Sequence, residues 1–384
     1  MATQSEWIDR ADRAASAGDR RGARVALEAA VALPDANVQT WLKLAAMCRQ
    51  MGEPDAAMTA VTGALRADPL DFMALLMRAS LLDQRGDREA GEAYGRALAQ
   101  RPAGELPAPV ARAVTRAEVR HADHVAALSD ALAQATRAIE ARASEEERGR
   151  IARLRSNTTR ATRPYHSEPT HYHFPGLIER EFHDRADHPW LTEVEAATDT
   201  IEREFHAVVG AERAELVPYI QYPDDAPTRQ WKPLNHSRDW TAIHLVRNGR
   251  TVFANARHCP ETIALLSRLP QPEIAGCCPN AMFSLLAPGA HIPPHVGIAN
   301  TRLVCHLPLV VPTGCWFRVG AEVRDWQRGS AFVFDDTIEH EALNPSEELR
   351  VVLIFDIWHP GLSPIERDAV RAVLEHQGGF GAAL

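Results

Sequence analysis

Cysteine is scarce and scattered in this 384-residue chain: Cys48, Cys259, Cys277, Cys278, Cys305 and Cys315 are all it has. No C-x-x-C pair occurs, which removes zinc-ribbon and thioredoxin-type sites. The six are expected as thiols in a reducing compartment; only export would favour a bridge from Cys259 to Cys277 or Cys278. Positive charge is not in excess either. With 42 Lys and Arg against 51 Asp and Glu, the formal net charge is -9, so a broad nucleic-acid-binding surface is excluded as the main function. A long apolar run is missing from Met1 to Arg20, where charges recur throughout and neither a signal peptide nor a membrane span fits. These absences lead to the expectation of a soluble, cytoplasmic protein with neither nucleic acid nor membrane as partner.

What is present divides the chain. Hydrophobic residues make up 45% of it, enough for buried cores, and the length predicts two domains. Up to Pro164 the sequence is rich in Ala, Arg, Asp and Glu at helical spacing; beyond it lie most of the Pro, His, Trp and Phe. The first part repeats with a period of 34 residues: Gly18, Gly52 and Gly86 align, as do Trp7, Trp41 and Leu75, then Ala11, Ala45 and Ala79, then Ala23, Ala57 and Gly91. That period is the tetratricopeptide repeat's: small residues let paired helices approach, the glycine permits the turn, and Pro69 and Pro102 end the second helices. Such an array either binds a partner peptide in its groove or simply accompanies the second domain. From Pro107 to about Arg155 the apolar spacing of Val110, Val114, Val119, Leu128, Leu132 and Ile139 extends the array in degenerate helices. The polar run Ser156-Asn157-Thr158-Thr159 reads as a linker. The boundaries expected are a helical solenoid over residues 1–155 and a second domain over 156–384.

The second domain reads as short strands punctuated by turns: Leu216–Pro218, Ala242–Val246 before Asn248-Gly249, Phe283–Leu286 before Pro288-Gly289, Leu303–Val311, Cys315–Val319, Ala331–Phe334 and Arg350–Ile357. Helices are expected near Trp190–Val209 and Pro260–Leu269. Strand density of this kind implies a jelly roll, or double-stranded β-helix, and the class as a whole is α+β.

Within it, His295 and His340 are expected at strand ends, His295 in the loop Pro293-Pro294-His295-Val296-Gly297 and His340 after the strand ending at Phe334. Two imidazoles brought together from distant strands hold a divalent transition metal. Arg350 opens the apolar strand Arg350-Val351-Val352-Leu353-Ile354-Phe355, where a cation needs an anion: Asp356 or Glu348 inside the protein, or the distal carboxylate of a bound 2-oxo acid. Together they suit an Fe(II) enzyme using 2-oxoglutarate. The carboxylate that usually completes such an iron site is missing, since Gly297 stands two residues after His295; Asp336 is expected to support the strand end or hydrogen-bond an imidazole. His121-Ala122-Asp123 matches an H-x-D triplet but sits in a helical pattern. His171-Tyr172-His173 is read as local packing, and His291 as a loop residue with a place at the site's mouth.

Phe283-Ser284-Leu285-Leu286-Ala287-Pro288-Gly289, His295-x-Gly297, Asn300-Thr301-Arg302-Leu303, His306-Leu307-Pro308-Leu309, Phe334-Asp335-Asp336-Thr337-x-Glu339-His340-Glu341 and Asp356-x-Trp358-His359-Pro360 together resemble the aspartyl/asparaginyl beta-hydroxylase family, over roughly Tyr165 to Pro364. The resemblance implies iron held by His295 and His340 alone, with Ser284, His306 and Arg350 on 2-oxoglutarate. Animal members carry another arginine at the position of Val304, which leaves Arg302 as the candidate for that co-substrate contact or for a substrate carboxylate. No residue is assigned as a separate catalytic acid or base. The expectation is an Fe(II)/2-oxoglutarate dioxygenase that hydroxylates the β-carbon of peptidyl Asp or Asn, with succinate and CO2 as co-products. The rival readings are a hydroxylase or halogenase of a small molecule or lipid, and a non-catalytic repeat adaptor.

Overall fold

The computed structural model describes every residue except Met1, Asp35, 212–215, Asp224, Ala226, Pro227, Arg229, Gln230 and 379–384. The chain forms two compact units, Met1–Ala161 and Thr162–Leu384.

The first unit runs through α1 (Gln4–Ser16), α2 (Arg20–Val31), α3 (Val38–Gln50), α4 (Pro54–Ala67), α5 (Phe72–Gln84), α6 (Ala90–Leu98), α7 (Ala108–Glu140) and α8 (Glu145–Thr158). Consecutive helices pack on one another. The aligned alanines Ala11, Ala23, Ala45, Ala57 and Ala79 are at most 2% exposed, as close helix approach requires. At the third repeat a Cβ on Gly91 would fall 2.2 Å from the Cβ of His124 on α7, so this contact has no room even for alanine. Gly18, Gly52 and Gly86 follow α1, α3 and α5 with φ of +80°, +76° and +66°, the left-handed backbone that closes a helix and favours glycine. Asp19, Asn37 and Asp71 each accept a hydrogen bond from a first-turn backbone N–H of the helix they precede.

One expectation of the helical unit is met and one needs correction. The stretch after Pro107 continues the array in helices, as expected: α7 of 33 residues, with Val114 and Ala117 buried, packs on α6 and is followed by α8. Ser156-Asn157-Thr158-Thr159 is not a linker. α8 continues to Thr158, with the Thr158 and Thr159 hydroxyls donating to the carbonyls of Leu154 and Arg155 four residues back, and the unit ends at Ala161 rather than residue 155.

The second unit contains α9 (Leu191–Ala196), α10 (Thr198–Val209), β1 (Leu216–Pro218), β2 (Trp240–Arg247), β3 (Arg250–Thr251), α11 (Phe253–Ala256), α12 (Pro260–Leu266), β4 (Ala281–Leu286), β5 (His291–His295), β6 (Arg302–Val310), β7 (Trp316–Val319), β8 (Glu322–Asp325), β9 (Phe332–Phe334), β10 (His340–Leu343), β11 (Arg350–Trp358) and α13 (Pro364–Gly378). Among the described residues the strands build two antiparallel sheets, one in the order β1-β2-β4-β11-β6-β9 with β3 beside β2, the other β5-β10-β7-β8. On one side of the larger sheet Phe283, Leu307, Leu353 and Phe355 pack with Ile201, Phe205 and Leu265 of the covering helices. On the other, Leu286, Val304 and Val352 meet Ile292, Phe317 and Ala342 of the smaller sheet. Burial on both faces explains why β4, β6 and β11 read as continuous apolar runs. Four strands have no counterpart in the sequence reading, the two-residue β3 among them. β5, a loop by its two prolines, pairs with β10 as an edge strand, the place where Pro293 and Pro294 are tolerated. β10 begins at His340 itself, and β8, the other edge, is charged and mostly exposed.

Candidate active site

Pairing of β10 with β5 sets His340 directly opposite His295, and their rings lie 4.0 Å apart, centroid to centroid. Both imidazoles are oriented by their own backbone. Nδ1 of His295 donates to the carbonyl of Pro293 at 2.8 Å, and Nδ1 of His340 to that of Ile338 at 3.0 Å. Each ring is thereby fixed as the tautomer whose Nε2 carries a free lone pair, the form a metal takes. Burial pushes the His295 imidazole down to about 3 and that of His340 down to about 4, so both are neutral over the physiological range.

The pair opens into a cavity of about 510 Å³ that also reaches Ser284, Arg302, Val304, His306 and Arg350. Arg350 is 1% exposed. Its guanidinium makes only long contacts to the carbonyl and hydroxyl of Ser284, at 3.3 and 3.4 Å, lies over the Trp326 ring at 4.6 Å, and leaves Nε without a partner. Neither Asp356 nor Glu348 pairs with it, and burial alone lowers its pKa to about 9. The Ser284 hydroxyl accepts from the Trp240 indole at 3.0 Å and so keeps its own proton to donate. His306 is ringed by Phe317, Phe332, Phe334 and Trp326, is held neutral by burial and by the nearby Arg350, and has an unpartnered Nδ1. Such donors buried without partners cost stability unless a ligand meets them.

Gly297 has a steric reason. A Cβ there would stand 2.2 Å from an oxygen of Asp336. The Asp336 backbone carbonyl lies against the His340 imidazole and accepts from the Gly297 N–H, while its carboxylate pairs with Arg302 at 3.2 Å, and Arg302 reaches Asp356 at 3.3 Å. Burial by itself would lower the Arg302 pKa, and the two carboxylates outweigh it and hold the guanidinium charged. Arg302 therefore lines the cavity with its charge already balanced, unlike Arg350. Its contact to Asp356 lacks hydrogen-bond alignment, which leaves one amino group without a hydrogen-bond partner. Val304 presents an apolar wall. Among the described residues no cluster of three His, Cys, Asp or Glu converges, so a metal at this pair would have two protein ligands.

Tyr172 and His291 fall differently from expectation. Tyr172, read as packing, lines the cavity, whereas His291 does not and faces Glu341 at 3.0 Å. His121 lies in a helix, as its pattern predicts, with Nδ1 on the carbonyl of Gly91 inside the helical unit. Sequence reasoning missed Trp326 and Trp240, which seat Arg350 and Ser284. A tryptophan carries no spacing signal that marks it as a site residue.

A family model described as Aspartyl/Asparaginyl beta-hydroxylase matches residues 195–360, the segment that holds both histidines and Arg350. Over this segment the chain is similar to the aspartyl/asparaginyl beta-hydroxylase family. A tetratricopeptide repeat model matches residues 38–81 in the unit before it. The human aspartyl/asparaginyl beta-hydroxylase is 36% identical over 142 residues, which are 36% of this chain and 18% of the relative. Human aspartate beta-hydroxylase domain-containing protein 2 is 38% identical over 137 residues, 35% of this chain and 37% of the relative. The ornithine lipid ester-linked acyl 2-hydroxylase of Rhizobium tropici is 34% identical over 190 residues, 47% of this chain and 62% of the relative. The chain thus spans less than two thirds of each of these relatives. The similarity lies in the unit that follows the helical repeats; among the described residues no helix is long and apolar enough to cross a membrane.

Proposed function

We propose that this protein is an Fe(II)/2-oxoglutarate-dependent hydroxylase. The observation that carries the reading is a pairing within one cavity: two neutral imidazoles with free Nε2 atoms, and a buried arginine with no carboxylate of its own. His295 and His340 would hold the iron. Arg350, Ser284 and His306 would hold 2-oxoglutarate, the guanidinium meeting the distal carboxylate while the serine hydroxyl and the His306 Nδ1 complete its polar surround. Bound there, iron and co-substrate supply with O2 the oxidising power to place one oxygen atom into a C–H bond, with succinate and CO2 as co-products. The protein's part is to fix the imidazole tautomers through Pro293 and Ile338, to exclude water with the Trp240, Trp326 and Phe317 walls, and to aim the substrate by Arg302. The reading of the two sheets as a double-stranded β-helix, and of the cytoplasm as the compartment, belongs to the same proposal.

A peptidyl Asp or Asn is the first substrate class: the repeat unit offers a protein-binding array, and the alignable amino group of Arg302 suits a substrate carboxylate or amide. The acyl chain of a lipid is the second, favoured by the Rhizobium tropici relative, with which this chain shares its longest alignment among the three relatives described. Halogenation is disfavoured, because the space that a small residue leaves free is taken up by the Asp336 carboxylate, which repels a halide. The test is succinate release by purified protein with Fe(II), 2-oxoglutarate and O2, together with equilibrium binding of both ligands. His295→Ala should abolish iron binding and Arg350→Ala should abolish 2-oxoglutarate binding with iron still bound. Unaltered binding in both variants would sink the assignment and leave a non-catalytic adaptor, and chlorinated product in the presence of chloride would replace hydroxylation by halogenation.

A further inference from the structure

Cys277 and Cys278 are adjacent in sequence and share the cavity wall, their sulfurs 3.5 Å apart. Their four companions are of another kind: Cys48, Cys259, Cys305 and Cys315 are each buried as single thiols, and none is paired with another cysteine. Cys277 is part-exposed and Cys278 buried. The neighbourhood of Cys277 is polar and organised. Asn280 donates from its side chain to the Cys277 carbonyl at 3.0 Å and to Asp356 at 2.9 Å, and its backbone N–H donates to the same Asp356 oxygen at 2.8 Å. Asp356 in turn holds Arg302, which holds Asp336 against Gly297. The vicinal thiols are thus one end of a polar chain that finishes beside His295.

We propose that Cys277 and Cys278 form a reversible oxidative modification site, a vicinal dithiol that a peroxide converts to a disulfide in the cavity wall, loosening the grip of Asn280 on Asp356 and Arg302. The balance is simple. The Cys277 sulfur attacks the peroxide oxygen, giving a sulfenic acid and an alcohol, or water from hydrogen peroxide. The Cys278 thiol then attacks that sulfur, expelling water and closing the S–S bond. Two thiols lose two hydrogens and two electrons, and the peroxide is reduced by two electrons. The division of roles follows from access and from polarity: the contact with Cys278 lowers the Cys277 pKa, while the contact with Cys277 and then burial raise that of Cys278, which leaves it the resolving partner. A ring of two adjacent residues brings the Cα atoms closer than the usual disulfide span of about 4.4–6.8 Å. The bond is therefore strained, easily reduced, and obliges the backbone at 277–280 to shift.

This inference does not require iron or 2-oxoglutarate, so it can fail without touching the assignment above. Trypsin releases residues 269–302 as one peptide that contains both cysteines and no others. After hydrogen peroxide treatment of the full chain that peptide should lose two hydrogens without crosslinking to another, and dithiothreitol should restore them. Cys277→Ser and Cys278→Ser should each abolish the loss. Amide hydrogen exchange across the same peptide should rise on oxidation in the wild type and stay level in both variants. Stepwise oxygen addition to Cys277 with no disulfide would overturn the dithiol, and a disulfide that leaves exchange unchanged would overturn its link to Arg302.

Discussion

The two units differ in where they keep their polar groups. In the helical unit the carboxylate of Asp83, its side chain 4% exposed, is matched by Arg116, Arg120 and the Tyr94 hydroxyl. Among the described residues, every buried side-chain nitrogen or oxygen without a partner lies in the β-rich unit, and those of His244, Arg302, His306, Trp326, Asp336 and Arg350 line the cavity. Tetratricopeptide packing repeats one satisfied solution. The second unit leaves donors and acceptors unmet around a hollow, a cost that a scaffold has no reason to carry and a binding site does.

Arg350 is the sharpest case. Replacing it by methionine removes an uncompensated buried cation while keeping chain length, so the ligand-free protein should be more stable, by about 1–4 kcal/mol on the behaviour of buried charges replaced by apolar side chains. Succinate release should fall about 100-fold or more, since truncating a buried charge partner costs about 2–5 kcal/mol of binding. Thermal unfolding of the apo protein beside a turnover assay checks both. A lower melting temperature would break the comparison, because it would make Arg350 a structural partner of Trp326.

Acid should separate the units. Burial holds His183 down to about 3, and His188 and His244 down to about 4, all in the β-rich unit. The unfolded chain protonates these imidazoles near 6.5, so it binds more protons than the fold below that pH. Stability is then full above about 6.5 and is lost as pH falls towards the folded values, each group giving up to about 1.4 kcal/mol per pH unit. Asp335, raised by burial to about 7, runs the other way and gains stability as pH falls from 7, but offsets only part of the loss. Tryptophan fluorescence, whose reporters are mostly Trp190, Trp231, Trp240, Trp316, Trp326 and Trp358, should report unfolding between pH 6 and 4 while helical circular dichroism persists. A single coincident transition would show the two units to be one cooperative body.

The same contrast explains what could be read in advance. The repeat was legible because its contacts recur at a fixed spacing: Ala11, Ala45 and Ala79 do the same job in the same place. His295, His340 and Arg350 were legible because a histidine or arginine among apolar strands is conspicuous. Their supports were not. β5 hides behind two prolines that only an edge position permits, and His340-Glu341-Ala342-Leu343 has helix-forming composition that pairing with β5 and β7 overrides. Asp336 and Asp356 could not be assigned to Arg302 from sequence, since that choice is made by the register of β6 against β9 and β11.

Glycine gives the smallest and cleanest test of the difference. Gly52 has φ of +76° and open space where a Cβ would go, so its role is conformational only. Gly52→Ala should cost about 1 kcal/mol through left-handed strain, and Gly52→Asn should cost less, because asparagine tolerates that backbone. Gly297 has no such φ and is needed for clearance, its Cβ position lying 2.2 Å from Asp336. Asparagine should therefore rescue nothing there: Gly297→Asn should be worse than Gly297→Ala, since the larger side chain drives Asp336 further from Arg302. Denaturant unfolding of all four variants ranks them, and an asparagine that helps at 297 as it does at 52 would mean that both glycines serve the backbone.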